Sequence, residues 1–451
     1  MNPKAVARVI TQPRAIYAAT AALLIPYLAL YARHLTQNLA WMPLGDDYPI
    51  HVYMALQTRE NPLAIFTTAG HYPSLIHLLG MLSGDPLALG RAYAAYGAVL
   101  IAAGAALYSV YTAQLAGGKA AALAGAAVVI GSVRTLAGVV DGQVADKTVL
   151  LILIPPSLIL YARGRPAAAV LALTPAAFIN HLGLAYAAAL ALAYAIYGGK
   201  PAALALAVAT AAGALLAPHK LAAAAELAMA AAEPPPTAWD PLWGLVYGFY
   251  GPSAPVAAAA AAYVALRAKR AAPLALASLI VLVAALASPQ YGERLMRVAA
   301  LLTPMASVAG LLELRRNTAA ALVLAIYLAG PAAAGWAWAS GHLDGLFVPV
   351  QRLTPEKLQA YHQILATLPP HSHVEVMWQL DLWLLPLAKA DRPDVEISTT
   401  ACKWGPAQYY VYTPPDPRQW HMPCTLAAGP PPGRPVAKWG NTTLYEGAGG
   451  G

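Results

Sequence analysis

Residues 44–80 read LGDDYPIHVYMALQTRENPLAIFTTAGHYPSLIHLLG and concentrate ionisable side chains within an otherwise apolar chain. These side chains are Asp46, Asp47, His51, Arg59, Glu60, His71 and His77. The stretch directly follows the first long apolar run, AIYAATAALLIPYLALYA, which begins at residue 15. Ionisable groups beside hydrocarbon are costly unless they face water, a partner or a substrate. We therefore expect this stretch to carry the functional site.

The composition predicts a polytopic all-α membrane protein. Of the 451 residues, 59% are hydrophobic and 11% charged, whereas about a quarter of residues in soluble proteins are charged. Apolar runs recur that are long enough to cross ~30 Å of hydrocarbon, and about eleven transmembrane helices are expected. They lie near 15–33, 86–113, 119–138, 144–162, 166–181, 182–198, 201–217, 252–267, 271–288, 295–313 and 318–338. Residues 73–84 are too short to span and read as a helix in the interface.

Positive charges fall in every second short loop. These basic residues are Lys119, Arg163, Arg165, Lys200, Arg267, Lys269, Arg270, Arg315 and Arg316. Loops of this kind face the cytoplasm. The net charge of +8 therefore reports topology and does not indicate a nucleic-acid partner. We expect a multi-pass protein of the cell membrane, with the N-terminus cytoplasmic and the C-terminal part outside.

An odd number of spans divides the chain into a transmembrane domain, 1–339, and a small C-terminal extracytoplasmic α/β domain, 340–451. In the latter, TPEKLQAYHQILATL predicts a helix capped by Thr354. HVEVMW, VEIST and YYVYT predict strands, and DLWLLPLAK predicts a helix between the first two. Cys402 and Cys424 are the only cysteines, and in an oxidising compartment we expect them to form a disulfide. Asn441 begins a glycosylation sequon.

Asp46 and Asp47 are the candidate catalytic residues. Pro49 suits the first turn of a helix, so helix capping explains one of these carboxylates. Two adjacent carboxylates at a membrane surface favour a second interpretation, a general base that accepts the proton of an attacking hydroxyl. His51 follows Asp47 by four residues and shares a helical face with it. It would orient the carboxylate or contact a phosphate.

Further candidates for binding a substrate or its phosphate stand near the outer ends of other spans. They are His77, Arg91, Arg134, Asp146, His181, Lys220, Arg294 and Arg297. An arginine fork fits phosphate oxygens, although each arginine is also explained by snorkelling, and each histidine by an interfacial or helix-end position. Four arginines on the outer side run against the inside bias and favour an anionic lipid head group.

A metal or nucleotide cofactor is disfavoured. Asp141 and Asp146 would offer carboxylate oxygens to a divalent cation together with Asp46 or Asp47, but no Asp-x-Asp motif is present. His71 and His77 are six residues apart, which is poor spacing for metal ligands. Neither GxxxxGK[ST] nor GxGxxG follows a strand, so nucleotide-dependent chemistry on the cytoplasmic side is disfavoured.

The chain resembles the C-type integral-membrane glycosyltransferases, the superfamily of protein O-mannosyltransferases, oligosaccharyltransferases and lipid-sugar arabinosyltransferases. The matching features are one span followed by a long outer loop with acidic residues near its start (GDDYPIH), the YPSLIH segment, an arginine at the outer end of a late span (290–297), and an extracytoplasmic C-terminal domain. The oligosaccharyltransferase metal motif is missing from the second loop.

The resemblance implies transfer of a sugar from a polyprenyl (dolichyl) phosphate carrier to an acceptor hydroxyl on the outer face, in the manner of protein O-mannosyltransferases. Asp47 or Asp46 would match the base, and Arg294 or Arg297 the phosphate-binding arginine. The partners would be membrane lipid, the donor, and an acceptor glycan, lipid or protein. Two alternatives remain: a transporter or lipid flippase without covalent chemistry, and a scaffolding protein that binds through its outer domain.

Overall fold

The computed structural model describes residues 25, 29, 42, 45, 47–67, 74–132, 138–139, 142–216, 218, 253–288, 292–339, 353–400, 402–415 and 423–447. These residues are mostly helical, with a small C-terminal sheet. The helices of the bundle are α1 Tyr48–Glu60, α2 Ala64–Thr67, a 3₁₀ helix Leu75–Leu82, α3 Pro86–Ala116, α4 Gly118–Ile130, α5 Val144–Ala162, α6 Pro166–Phe178, α7 His181–Gly198, α8 Lys200–Leu216, α9 Ser253–Arg267, α10 Ala272–Ala287, α11 Gly292–Glu313 and α12 Asn317–Ala339.

Four of the described helices are long and apolar enough to cross a membrane: Pro86–Ala116, Val144–Ala162, His181–Gly198 and Arg294–Glu313. Shorter apolar helices are Gly118–Ile130, Pro166–Phe178, Lys200–Leu215, Pro255–Arg267, Ala272–Ala287 and Asn317–Ala329. Most expected spans therefore coincide with a helix, but α4 ends at Ile130, well before residue 138. Nearly all of the expected span 15–33 lies outside the described residues. About eleven crossings, and insertion itself, stay predictions.

Local signals explain several helix ends. Asp85 precedes α3 and its carboxylate accepts hydrogen bonds from the N–H groups of Leu87 and Ala88, which have no partner within the helix. Asn180 caps α7 in the same way. Gly117 ends α3 with a φ of 74°, a conformation that glycine adopts without strain. Caps and glycines thus divide the apolar chain into separate helices.

Small residues bring the helices of the bundle into close contact. A Cβ at Gly104 of α3 would lie 2.8 Å from Leu151 Cβ in α5, and one at Gly310 of α11 would collide with Val264 in α9. Such contacts let backbones approach where lipid supplies no hydrophobic drive for helix association. The glycine-rich and alanine-rich composition is therefore used in packing.

One end of the bundle is closed by charged groups; we call it the basic end. The Arg270 guanidinium donates to the carbonyls of Gln114 and Leu115 at the end of α3, at 3.0 and 2.8 Å. The Glu313 carboxylate, at the end of α11, accepts from the N–H groups of the α9–α10 turn, among them that of Ala271 at 2.8 Å. Three of the loops predicted to face the cytoplasm, those after α3, α9 and α11, thus meet at this end.

The C-terminal unit contains α13 Pro355–Thr367, β1 His373–Met377, α14 Trp378–Asp381, α15 Leu384–Asp391, β2 Glu396–Thr400, β3 Tyr409–Tyr412, α16 Pro423–Ala428, β4 Arg434–Trp439 and β5 Thr442–Glu446. The sheet order is β2-β1-β3-β5-β4. β1 runs parallel to both of its neighbours, and β5 antiparallel to both of its own. The expected strands are confirmed as β1, β2 and β3, and the hairpin β4–β5 comes in addition.

Two details of this unit follow the sequence. Thr354 caps α13, with its hydroxyl oxygen 3.2 Å from the N of Lys357, as expected. Asn441 of the sequon is exposed in the turn between β4 and β5. The described residues include no free thiol. The pairing of Cys402 with Cys424, whose side chain lies outside the described part, stays a prediction.

A buried carboxylate ties the elements of the C-terminal unit together. Asp381 is fully buried and accepts from the hydroxyl of Tyr361 at 2.8 Å and from the backbone N–H of Thr413 at 2.8 Å. The ammonium group of Lys357 lies 3.3 Å from it. A buried charge needs such partners, and here they come from α13 and from the residue after β3.

The C-terminal unit contacts the end of the bundle opposite the basic end. Trp383, buried just before α15, packs against Gly90 of α3, where a Cβ would lie 3.0 Å from its ring. Lys389 of α15 forms an ion pair of 2.7 Å with Glu60 at the end of α1. This second end, which we call the histidine end, also holds α1, the 3₁₀ helix and residues 138, 139 and 142–147.

Candidate functional site

Asp47 stands at the start of α1 but does not cap it through its side chain. Its φ and ψ of −81° and −20° are already helical, and its carboxylate accepts no hydrogen bond from the first turn. The capping explanation is therefore wrong for the Asp47 side chain, which is half-buried. Asp46 lies outside the described residues. The Asp47 carboxylate thus stands at the histidine end without a capping role in α1.

Two buried histidines form a chain of hydrogen bonds across the histidine end. The N–H of Ser74 donates to Nδ1 of His77 at 2.8 Å, so the neutral ring carries its proton on Nε2. That nitrogen lies 3.0 Å from Nδ1 of His51, and Nε2 of His51 lies 2.9 Å from the carbonyl oxygen of Gly142. The assignment that satisfies all three contacts has His77 donating to His51 and His51 donating to Gly142.

Burial keeps both imidazoles neutral. It lowers the pKa of His51 to about 4, against opposing effects from the hydrogen bond to Gly142 and from the Asp146 carboxylate. Burial, and then the neighbouring His51, lowers the pKa of His77 well below its ordinary value. A proton added to either ring would also place two donors face to face. In the structure, both rings join segments of the chain through hydrogen bonds. That either ring contacts a phosphate stays a prediction.

The loop that precedes α5 is held against the start of α1. The Tyr48 hydroxyl donates to the carbonyl of Val139 at 2.5 Å, and His51 donates to Gly142 as above. Gly142 has a φ of 103°, and a Cβ there would lie 2.8 Å from the backbone N of Tyr48 and 2.9 Å from Cβ of Asp47. The glycine thus lets the loop lie directly beside the Asp47 side chain.

Asp146 and Lys147 place a buried ion pair in the first turn of α5. The ammonium group of Lys147 lies 2.8 Å from Oδ2 of Asp146, and the two residues are 1% and 6% exposed. A Cβ at Gly138 would lie 2.9 Å from Cε of Lys147, so the loop also encloses the lysine. The electrostatic effect of Asp146 on His51 places the ion pair near the histidine chain.

The histidine end therefore brings together four of the predicted site residues, which are Asp47, His51, His77 and Asp146. Tyr48, Gly142 and Lys147 belong to the same arrangement but were not expected as site residues. Signals for them existed: Tyr48 and Gly142 each follow an aspartate of the candidate set, and Lys147 is the only cation beside Asp146. None of these signals states which side chain becomes buried.

The remaining candidates stand at the starts of α3, α7 and α11 or lie outside the described residues. Arg91 is exposed in the second turn of α3. His181 is half-buried at the start of α7, where Gly183 packs on Val149 of α5. Arg294 is exposed and Arg297 half-buried at the start of α11. Arg134, Lys220, His71 and Asp141 lie outside the described part.

In the described part of the chain, no three His, Cys, Asp or Glu side chains are grouped closely enough to hold a metal ion. Comparison with known proteins adds no relative: no family model, curated protein or solved structure matches the chain. The function must therefore be argued from the residues themselves.

Proposed function

We propose that this protein is a membrane glycosyltransferase that moves a sugar from a polyprenyl phosphate to an acceptor hydroxyl, with Asp47 as the general base. The observation that carries the proposal is the Asp47 carboxylate, which begins a helix without capping it. It stands at the end of a bundle of apolar helices, where a lipid carrier and a polar acceptor would meet. The sequence resemblance adds the donor class.

In this reaction the acceptor oxygen attacks the anomeric carbon of the sugar while the bond from that carbon to the phosphate oxygen breaks. The leaving polyprenyl phosphate keeps the electron pair, and the acceptor proton passes to the Asp47 carboxylate. A positioned base contributes about 10²–10⁴-fold. Cations near the phosphate stabilise the negative charge that develops on the leaving group, and this is usually a larger contribution to catalysis than the base. Arg294 and Arg297, in the first turns of α11, are the proposed source.

The chain offers a matched control for the test. Asp85 is a second aspartate at the histidine end, and its carboxylate does cap a helix. Because asparagine caps nearly as well as aspartate, Asp85→Asn should leave activity unchanged. Asp47→Asn should lower the initial rate by about 10²–10⁴-fold.

The assay uses purified protein in liposomes with polyprenyl phosphates carrying labelled mannose, glucose or arabinose, and a membrane extract as acceptor source. Transfer by the native chain that is lost in Asp47→Asn and kept in Asp85→Asn supports the proposal. Transfer that survives Asp47→Asn at the native rate refutes the base assignment. Failure of the native chain to use any donor refutes the transferase.

The buried Asp146–Lys147 ion pair favours one second candidate, a transporter or flippase without covalent chemistry. Paired charges enclosed at membrane depth commonly mark ion or substrate pathways. Proteoliposomes that accumulate or flip the labelled polyprenyl-phosphate sugar without releasing its sugar would support this candidate. Loss of that movement in Asp146→Asn, with Asp47→Asn unaffected, would assign the pathway to the ion pair.

A further inference from the structure

The 3₁₀ helix Leu75–Leu82 has a buried edge and, next to it, an exposed one. In a 3₁₀ helix, side chains three residues apart lie one above the other. His77 and Gly80 share the edge that faces α1, where His77 is fully buried and a Cβ at Gly80 would collide with the Ala55 carbonyl. Leu78 and Met81 share the next edge, which is exposed.

The exposed edge is strongly apolar. On this edge Leu78 and Met81 are 39% and 55% exposed, and Leu82, the last residue of the helix and on its third edge, is 70% exposed beside them. Three large apolar side chains on eight residues are more than scattered exposure explains, and such a patch marks an interaction surface. A second apolar group lies nearby in the chain, since Leu63 and Phe66 on either side of the α2 start are also exposed.

Both groups continue into the apolar surface of the bundle. Only three residues separate Leu82 from the start of α3, a candidate span, so the two are at most about 14 Å apart along the chain. Phe66 packs edge to face on Phe178, the last residue of the apolar helix α6, with ring centroids 5.5 Å apart. The patch thus lies where the apolar helices end.

A positive charge borders the patch. The guanidinium carbon of Arg59 lies 3.4 Å from the Cβ position of Gly84, two residues after Leu82, and Arg59 is exposed. Apolar side chains next to an exposed cation, at the end of a bundle of apolar helices, match the boundary between acyl chains and lipid phosphates.

We infer that the exposed edge of Leu75–Leu82 binds the acyl chains of the adjacent membrane leaflet, while its other edge carries His77 into the histidine chain. The occupant is bilayer lipid, and the helix is a lipid-contacting element that abuts the candidate site. The inference requires membrane placement of the bundle but not sugar transfer.

The test attaches an environment-sensitive fluorophore to a single introduced cysteine in the full-length protein, reconstituted in phosphatidylcholine vesicles. Met81→Cys, on the exposed edge, carries the test, and Leu82→Cys, at the exposed end of the same helix, repeats it, so that a folding failure of one variant does not decide the result. Leu204→Cys, on an exposed leucine of α8, serves as the membrane control, and Leu426→Cys, on an exposed leucine of the C-terminal unit, as the aqueous control. Labelling of the unsubstituted protein gives the background.

Brominated phosphatidylcholine should quench labels at positions 82 and 81 several-fold more than the label at 426, and iodide in the buffer should quench only position 426. If position 204 is quenched by the brominated lipid while 82 and 81 respond only to iodide, the inference fails although the membrane placement holds. Protection of 82 and 81 from both quenchers would show that protein covers the edge, and would also overturn it.

Discussion

At the basic end of the bundle, the Arg270 guanidinium donates to carbonyls that end α3. At the histidine end, the neutral rings of His51 and His77 join α1 to the 3₁₀ helix and to Gly142. Both ends solve the same problem, because helix termini and loops leave backbone groups that need partners. They do so with groups that respond differently to pH and to burial.

The two ends differ in how far their polar and charged side chains are exposed to water. The Arg270 side chain is 40% exposed, so the basic end is held by contacts that water can partly replace. At the histidine end, Asp146 and Lys147 are enclosed and the imidazoles are buried. Removing one partner there leaves a buried polar group alone, which costs more than losing the contact itself. The candidate site thus lies at the more sensitive end.

The largest expected effect comes from breaking the buried ion pair. Lys147→Met should lower the free energy of unfolding by about 3–5 kcal/mol, because Asp146 then remains buried without its cation. The double variant Lys147→Met with Asp146→Leu should recover most of that loss. Thermal unfolding in detergent measures both. Equal destabilisation in the single and double variants would contradict the role of the unpaired charge.

The second-largest expected effect is that of acidification, which should destabilise the histidine end. His51 has an ordinary pKa of 6.5 and a folded-state pKa of about 4, so the unfolded chain binds more protons between these values. The contribution of His51 to the free energy of unfolding is therefore fully present above pH 6.5. About 3 kcal/mol of it is lost as the pH falls to 4.

The readout is the slope of unfolding free energy against pH, compared between the native chain and His51→Gln. The variant should show a shallower slope over this window, whatever its stability at neutral pH. An unchanged slope would mean that His51 is not the titrating group.

A pair of glycines provides the finest comparison. Gly142→Ala places a Cβ 2.8 Å from a backbone atom in addition to the unfavourable φ, whereas Gly117, at the basic end, has a φ of 74° and nothing within 4 Å. Gly117→Ala should cost about 1–2 kcal/mol for its backbone conformation alone. Gly142→Ala should cost about 2 kcal/mol more through overlap. Unfolding midpoints of the two variants decide this, and similar losses would place the loop away from α1.

The bounds of several described helices were accessible from the sequence, since apolar runs, caps such as Asp85 and Asn180, and terminal glycines act within a few residues of the chain. The same local signals identified the three first strands and the Thr354 cap. The position of Asp47 directly before α1 was equally evident. Its freedom from capping was not, because that depends on backbone angles set by the loop packed against it.

Only the tertiary structure decided the partners within the candidate site. His77 has poor spacing from His71, but its ring meets His51, 26 residues away, and His51 meets Gly142 across 91 residues. Lys147 follows Asp146 in the sequence as an ordinary cation and becomes one of the most buried side chains. Hydrogen bonds and burial depend on which segments fold together in space, and no local pattern in one sequence encodes that choice.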